Sequence, residues 1–440
     1  MISEIHTYRE AEEYINTIPK FTSKNSMEHT RIFLKHLGNP GQNSKIIHIA
    51  GTNGKGSVCA YLCSVLKEAG ISAGMFISPH LVTMRERFVV DGEIVSERVF
   101  LEAFRTVASY LEELPEELRR ISYHPTFFEF LFFMAMVIFE RSGVEYAVLE
   151  TGLGGRLDAT NSVESKTLCI LTSIGYDHME YLGDTLAKIA SEKAGILRAN
   201  TPVVYPVQCE EVTHAIEECA LRAGAPTFPV EKHAIKEMKI RHKTIDFSLH
   251  LLYYDYISFT VSTSAVYQTE NASVAVRALE LLKDERITVP VMQAGIFRTC
   301  WEGRMEEIMP AVYLDGAHNI DGIRAFVETV KTQPCKGKRK LLYSVVKDKQ
   351  YQRVIGALAS SGLFDVAGVV ALSDARALPL AVLEDYFRQY TEWECRTYET
   401  LDTAVEELVF GKDDEDKVYI VGSLYLVGEV KALLRRPRHD

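Results

Sequence analysis

The chain has 440 residues, 47% hydrophobic and 25% charged, an ordinary globular composition with room for two or three domains. Its formal net charge of −11 excludes a non-specific nucleic-acid binder, which needs a basic face, but leaves room for a local basic pocket. The eight cysteines show no C-x-x-C pairing, so no zinc or disulfide framework is legible, and reduced thiols in a cytoplasmic protein are expected.

In chain order, "MISEIHTYREAEEYINTI" sets apolar residues at helical spacing and lacks the basic start and apolar run of a secretion signal. "KIIHIA" (45–50) is a short apolar run suited to a buried parallel strand. After the turn "GTNGKGS", Val58, Tyr61, Leu62, Val65, Leu66 and Ala69 fall on one helical face. "FFEFLFFMAMVIF" (127–139) is too short to span a bilayer and contains Glu129, so a buried helix and no membrane partner are expected. Further strand-like runs are "AGMFIS" (73–78), "YAVLET" (146–151), "TLCILTSI" (167–174) and "PVVYPV" (202–207). Their alternation with helical stretches predicts an open, mostly parallel sheet with helices on both faces. The aromatic and β-branched segment 244–264 predicts small antiparallel strands. A helix over "QTENASVAVRALELL" follows, with Ala272, Ala275, Leu279 and Leu282 on one face. A second series, "AVYLDGAHN", "KLLYSVV", "VAGVVALS" and "KVYIVGSLYLVGEV", makes a second α/β domain, and the junction falls near residue 297.

Four clusters carry chemistry. In "GTNGKGS", turn amides and a helix start make an anion site, Lys55 adds charge for phosphates, and the Ser57 hydroxyl suits magnesium. The usual G-x-x-x-x-G-K-[ST] pattern is not met: residue 49 is Ile49, and Gly56 separates the lysine from the serine. The same residues also fit a tight strand-to-helix turn with a surface lysine. In "YAVLETGLGGRLDATN", Glu150 ends a strand ahead of a glycine-rich loop, where a carboxylate reaches magnesium or serves as a cap. In "LTSIGYDHMEYLGDTLAKIASEKAGI", His178 follows another strand end, as a ligand or a structural histidine. Lys193, farther along that cluster, reads on its own as a solvated charge. "WEGRME" supplies Arg304 for a phosphate oxygen. "LDGAHN" sets Asp315 for a ribose, with His318 just beyond the strand; a surface ion pair and a turn are the plain alternatives.

Nine segments occur in one order: "HIAGTNGKGSV", "FISPHLVTMRERF", "PTFFEF", "ETGLGGRLDATN", "DHMEYLGDTLAKIASEKAGI", "NASVAVRAL", "WEGRME", "LDGAHN" and "VGSLYLVGEV". Together they resemble the folylpolyglutamate synthase and dihydrofolate synthase family of the wider Mur ligase superfamily. The resemblance runs almost end to end. It implies a two-domain α/β fold. Residues 1–296 would form a P-loop-type ATPase domain with a mostly parallel sheet, small antiparallel strands and the folate site. Residues 297–440 would form a Rossmann-like ligase domain. It implies that Thr52, Asn53, Gly54, Lys55, Gly56 and Ser57 bind the phosphates of ATP, with Asn271, Arg304 and Asp315 as further nucleotide contacts. Ser57, Ser78, Glu150 and His178 fall on positions associated with two magnesium ions, and Lys193 on a lysine that the family carbamylates to ligate the metal. Lys55, Lys193 and His318 would serve the chemistry. Thr126, Phe127, Phe128 and Glu129, with Leu157, Asp158 and Ala159, would line the pteridine side. Two positions depart from the family pattern: Ile320 stands where a proline is frequent, and His29 lies near a usual arginine.

The implied reaction is ATP-dependent addition of L-glutamate to dihydropteroate, to the γ-carboxylate of a reduced folate, or to both; separately from any motif, a monomer is expected. The loop 78–88 would be mobile at the folate side. A Mur-type ligase using a UDP-linked precursor and a non-catalytic nucleotide-binding module are the rival readings.

Overall fold

The computed structural model describes residues 4–19, 25–347, 350–373 and 377–435. Among these, the first sheet has eight strands: β1 Lys45–Ala50, β2 Ala73–Phe76, β3 Phe88–Val90, β4 Glu93–Ile94, β5 Tyr146–Glu150, β6 Leu168–Leu171, β7 Val203–Pro206 and β8 Thr227–Val230. Their order is β4-β3-β2-β5-β1-β6-β7-β8; β2, β5, β1, β6, β7 and β8 run parallel, while β3 and β4 form an antiparallel edge.

Strand β1 is central and buried from Ile46 to Ala50, as a parallel strand covered on both faces must be. Its side chains part between layers. Ile47 and Ile49 join the core under the helices Lys55–Glu68 and Gln268–Leu282, while Ile46 joins the core of the helix Phe127–Ser142. That last helix is apolar all round because it is enclosed: residues from Phe130 to Phe139 are at most 5% exposed. Thr126 and Glu129 start it with a reciprocal capping box, and Gly143 ends it in the left-handed region. No helix among the described residues is long and apolar enough to cross a membrane.

Strands β9 Ile235–Ile240, β10 Ile245–His250 and β11 Tyr256–Val261 form the small antiparallel sheet expected over 244–264, with β9 added upstream. The sequence hides β9 because "IKEMKI" is an exposed edge with no apolar alternation. The third sheet contains β12 Arg304–Met309, β13 Val312–Asp315, β14 Arg339–Tyr343, β15 Val366–Val370, β16 Glu394–Tyr398 and β17 Lys417–Val421. Its order is β12-β13-β17-β14-β15-β16, parallel except for β12.

Register places the site. Ile49 pairs with Glu150 and Ala50 with Leu171, so β1, β5 and β6 end side by side. The loops that follow them carry "GTNGKGS", "TGLGGRLD" and "TSIGYDH". Ligands in open α/β sheets collect at such carboxyl ends.

Candidate active site

The three loops open into one cavity of about 760 Å³, lined from both sheets' domains. Every site residue named from the sequence lines it.

The phosphate-type loop joins β1 to the helix Lys55–Glu68. Gly54 precedes that helix at φ +89°, and any side chain there would press on Asn271 Oδ1. No side chain caps the helix, so the amides of Lys55, Gly56 and Ser57 open it without intrahelical acceptors. The amides of Thr52 and Asn53 are engaged, both donating to the Ser173 carbonyl at 2.8 and 3.1 Å. Ser57 Oγ accepts from Gln268 Nε2 at 3.0 Å, and Gln268 Oε1 accepts from Asn271 Nδ2 at 3.0 Å. The helix Gln268–Leu282 thus grips the loop from the far side.

Glu150, 4% exposed, ends β5 beneath this loop. Lys55 Nζ lies 3.8 Å from its Oε1, and the Ser78 amide donates to Oε2 at 3.2 Å. Burial pushes the Glu150 pKa up, against the opposing pull of Lys55, the Ser78 amide, Arg304 and Arg87. The loop 78–88 does not hang free. Glu86 accepts the amides of Leu81, Val82 and Thr83 at 2.7, 3.1 and 2.9 Å, and Leu81 packs against the second domain's core. Arg87, at the loop's end, is buried over the Phe127 ring and donates Nε to His80 Nδ1 at 2.8 Å. Burial lowers its pKa to about 10.

His178 stands in the left-handed region at φ +50°, next to Asp177. Asp177 Oδ2 lies 3.4 Å from His318 Nε2 of the second domain and accepts from Asn319 Nδ2 at 3.3 Å. Asn319 also exchanges amide hydrogen bonds with Asn53, at 2.9 and 3.2 Å. Lys193 is buried, and its Nζ donates to the Gly51 carbonyl at 2.6 Å. Arg304 begins β12, where its Nη1 donates to the Gly303 carbonyl at 2.8 Å. Asp315 ends β13 and is 2% exposed. It accepts from the Tyr267 hydroxyl at 2.6 Å and from the amides of Met305 and Ala317 at 3.0 and 2.8 Å. Burial raises its pKa, with Arg304 the largest opposing influence.

At the other end, Phe127 and Phe128 face the glycine loop; a Cβ on Gly152 would sit 2.7 Å from the Phe128 ring. Leu157 is 45% exposed, while Ala159 is buried. Glu129 and Asp158 are bound within the protein. Glu129 takes hydrogen bonds from Thr30 Oγ1, Asn25 Nδ2 and the Thr126 amide at 2.9, 2.7 and 2.7 Å. Asp158 takes the amides of Gly152 and Leu153, each at 2.9 Å. These two acids shape the wall.

Residues 49–279 match the family model of the Mur ligase middle domain, and residues 303–424 that of the Mur ligase glutamate ligase domain. Over 97% of its length the chain is 32% identical to the dihydrofolate synthase/folylpolyglutamate synthase of Bacillus subtilis, covering 99% of that protein. The chain belongs to the folylpolyglutamate synthase and dihydrofolate synthase family of Mur ligases. Its fold agrees: the Mycobacterium tuberculosis folylpolyglutamate synthase complexed with ADP matches with a TM-score of 0.88 at 26% identity, covering 98% of both chains. An E. coli FolC structure in complex with DHPP and ADP matches with a TM-score of 0.85 at 25% identity over the same shares.

Within this synthase fold, the donor set suits magnesium held against phosphate. No group of three His, Cys, Asp or Glu side chains gathers among the described residues. The Glu150 carboxylate and the hydroxyls of Ser57 and Ser78 line the same cavity. Magnesium usually takes such a site, with one or two carboxylates plus water and phosphate oxygens. Asp177, Arg87, Gln268, Tyr267 and Asn319 were not singled out from the sequence. Asp177 and Asn319 stand next to named histidines in "YDH" and "AHN". Gln268 and Tyr267 carry no local sign of their contacts to Ser57 and Asp315, which lie 211 and 48 positions away, and Arg87, within "FISPHLVTMRERF", gives no local sign of its burial over Phe127.

Proposed function

We propose that this synthase-family chain joins L-glutamate to 7,8-dihydropteroate and to the γ-carboxylate of reduced folates, splitting ATP to ADP and phosphate. The observation that carries the reading is the meeting of the phosphate-type loop, the buried Glu150 and the Phe127–Leu157 wall in one cavity closed by the second domain.

A carboxylate is a poor acyl donor, since its leaving group would be oxide. Attack of the acceptor's carboxylate oxygen on the γ-phosphorus of ATP releases ADP and forms an acyl phosphate. The glutamate amine then attacks the acyl carbon, phosphate leaves with the bonding pair, and the nitrogen loses its proton. No covalent enzyme nucleophile is required. The obstacle is electrostatic: at 4 Å, two unit charges repel by about 4 kcal/mol at an effective dielectric of 20. Lys55, Arg304 and the first-turn amides of the Lys55–Glu68 helix supply fixed positive charge and dipole against that repulsion. Ser57, Ser78, Glu150 and His178 would hold magnesium, which would supply positive charge against the charge developing on the phosphates. The two domains enclose the site, and exclusion of water protects an acyl phosphate; the protein would act as a monomer. The protein would act in the cytoplasm.

Carbamylation of Lys193 belongs to the same reading. The side chain is 5% exposed and reaches the first carbonyl of the phosphate-type loop. A neutral amine there adds carbon dioxide through a new N–C bond and, on giving up a proton to solvent, becomes a carbamate anion suited to a second metal. A ¹³C carbamate resonance after labelled bicarbonate is expected in the wild type and not in Lys193→Ala, whose turnover should collapse. A resonance-free wild type with a fully active variant would remove this element.

The deciding experiment is ADP release with ATP, magnesium and glutamate, adding dihydropteroate or tetrahydrofolate in parallel, with products identified by mass. Glutamate-dependent turnover with both acceptors is expected. Turnover with one narrows the activity to that half. Turnover with neither, in protein that binds ATP, overturns the assignment, and turnover with a UDP-linked peptide precursor instead would favour the other Mur branch.

A further inference from the structure

His48 is an odd residue for its place. It sits in the middle of β1, is 0% exposed, and has strand neighbours Leu149 and Cys169. Central parallel strands are built from apolar side chains, and a buried imidazole with an unmet nitrogen destabilises a fold. Its Nε2 lies 2.7 Å from Thr160 Oγ1, and its Nδ1 has no hydrogen-bond partner.

The protons along this line can be assigned. Four donors converge on Asp158: the amides of Gly152 and Leu153 on Oδ2, and the amide and hydroxyl of Thr160 on Oδ1 at 3.1 and 2.6 Å. Asp158 therefore acts only as an acceptor. The single hydroxyl proton of Thr160 points to Asp158, so its oxygen must accept from His48. Nε2 carries the ring proton and Nδ1 is bare, which matches its lack of a donor. Burial, followed by the charges of Lys166 and Arg198, holds His48 well below the usual histidine pKa and keeps the ring neutral.

We propose that His48 is a positioning residue for the acceptor pocket, acting through Thr160 and Asp158 on the glycine loop 152–159. The chain of bonds ends on the amides of Gly152 and Leu153 and on the wall formed by Leu157 and Ala159. The same strand that delivers the phosphate-type loop after Ala50 thus also sets the folate wall, through one side chain. Acyl-phosphate formation needs the two substrates aligned to within a few tenths of an ångström, and a shared strand provides one frame for both. This inference rests on the folate assignment above.

Glutamine places an amide nitrogen near the position of Nε2, whereas asparagine reaches only to that of Nδ1. The test is steady-state kinetics of His48→Gln, His48→Asn and His48→Leu with ATP and the folate acceptor varied separately. His48→Asn and His48→Leu should raise the acceptor KM about tenfold, the worth of one buried hydrogen bond, with the KM for ATP unchanged. His48→Gln should restore most of the loss. His48→Leu should melt no lower than the wild type, an outcome that a purely structural role forbids. Should the His48 variants fail to fold, Thr160→Val takes their place with the same expected split. An unchanged acceptor KM in folded His48→Leu or Thr160→Val overturns the proposal, as does a parallel rise in the KM for ATP. Selective ¹⁵N labelling reads the tautomer without substrate: an Nε2–H correlation is expected, and a ring protonated at Nδ1 overturns the chain of donors. A wild type inactive on folates that still shows the Nε2–H signal would sink the assigned reaction while leaving the hydrogen-bond chain intact.

Discussion

Glu150, the proposed magnesium ligand, lowers fold stability where it stands. Its carboxylate is buried, and desolvation outweighs the help from Lys55 and the Ser78 amide, so its pKa lies above the ordinary carboxylate value of 4.5. The folded state therefore holds the proton more tightly than the unfolded chain. The sign follows: stability of the metal-free protein falls as pH rises from that ordinary value through the raised one, and the loss persists above it. Glu150→Gln should remove this pH dependence and melt higher than the metal-free wild type near neutrality, as thermal scans across pH would show. The same variant should need at least about tenfold more magnesium for half-maximal turnover, since a charged ligand becomes neutral. A variant whose magnesium requirement is unchanged would place the ion elsewhere.

At the scale of elements, the helix Phe127–Ser142 shows one feature serving two ends. Its apolar length anchors the first domain, while its first turn forms the pocket wall. Thr126 caps it, and Glu129 returns the bond to the Thr126 amide while also binding Asn25 and Thr30. Thr126→Ala should cost about 1 kcal/mol of stability, the ordinary worth of an N-cap. Because Glu129 would lose half of its capping box, the acceptor KM should also rise. Urea unfolding and initial rates on the same preparation check both, and a stability loss with an unmoved KM would confine Thr126 to folding.

For the whole molecule, the question is how two domains hold one cavity. Among the described residues, side-chain contacts that cross between them at the cavity include Asn53 with Asn319, Asp177 with His318, the Tyr176 amide with Asp321, and Tyr267 with Asp315. Asn319 joins both Asn53 and Asp177 across the cleft, and its Oδ1 also caps the helix Ile320–Lys331 through the Gly322 amide at 2.8 Å. Asn319→Asp separates these roles. The carboxylate still caps the helix but cannot donate to Asn53, and it faces Asp177 with like charge. Melting should change by less than about 3 °C, a shift corresponding to under 1 kcal/mol. The value of kcat/KM for ATP should fall about tenfold or more, as loss of a paired hydrogen bond to closed-domain geometry implies. An unaltered kcat/KM would mean that this clasp plays no part in closure.

Much of this protein is written locally. Buried parallel strands such as β1, β5 and β17 read as continuous apolar runs because both faces are covered. The turns after them read as ligand loops because their glycines and charges are adjacent in the chain. Edge strands β8, β9 and β16 stayed hidden, since a half-exposed edge needs no apolar pattern. The residues that tertiary structure alone decided share one property, a partner at great sequence distance: 112 positions between His48 and Thr160, 211 between Gln268 and Ser57, 266 between Asn53 and Asn319. Local composition specifies which segments become strands and which turns can hold a phosphate. Only the packing of the sheets and their register determines which carboxylate is desolvated, which amide meets which across the cleft, and which histidine proton points where. Those are properties of distance in space, and distance along the chain does not encode them.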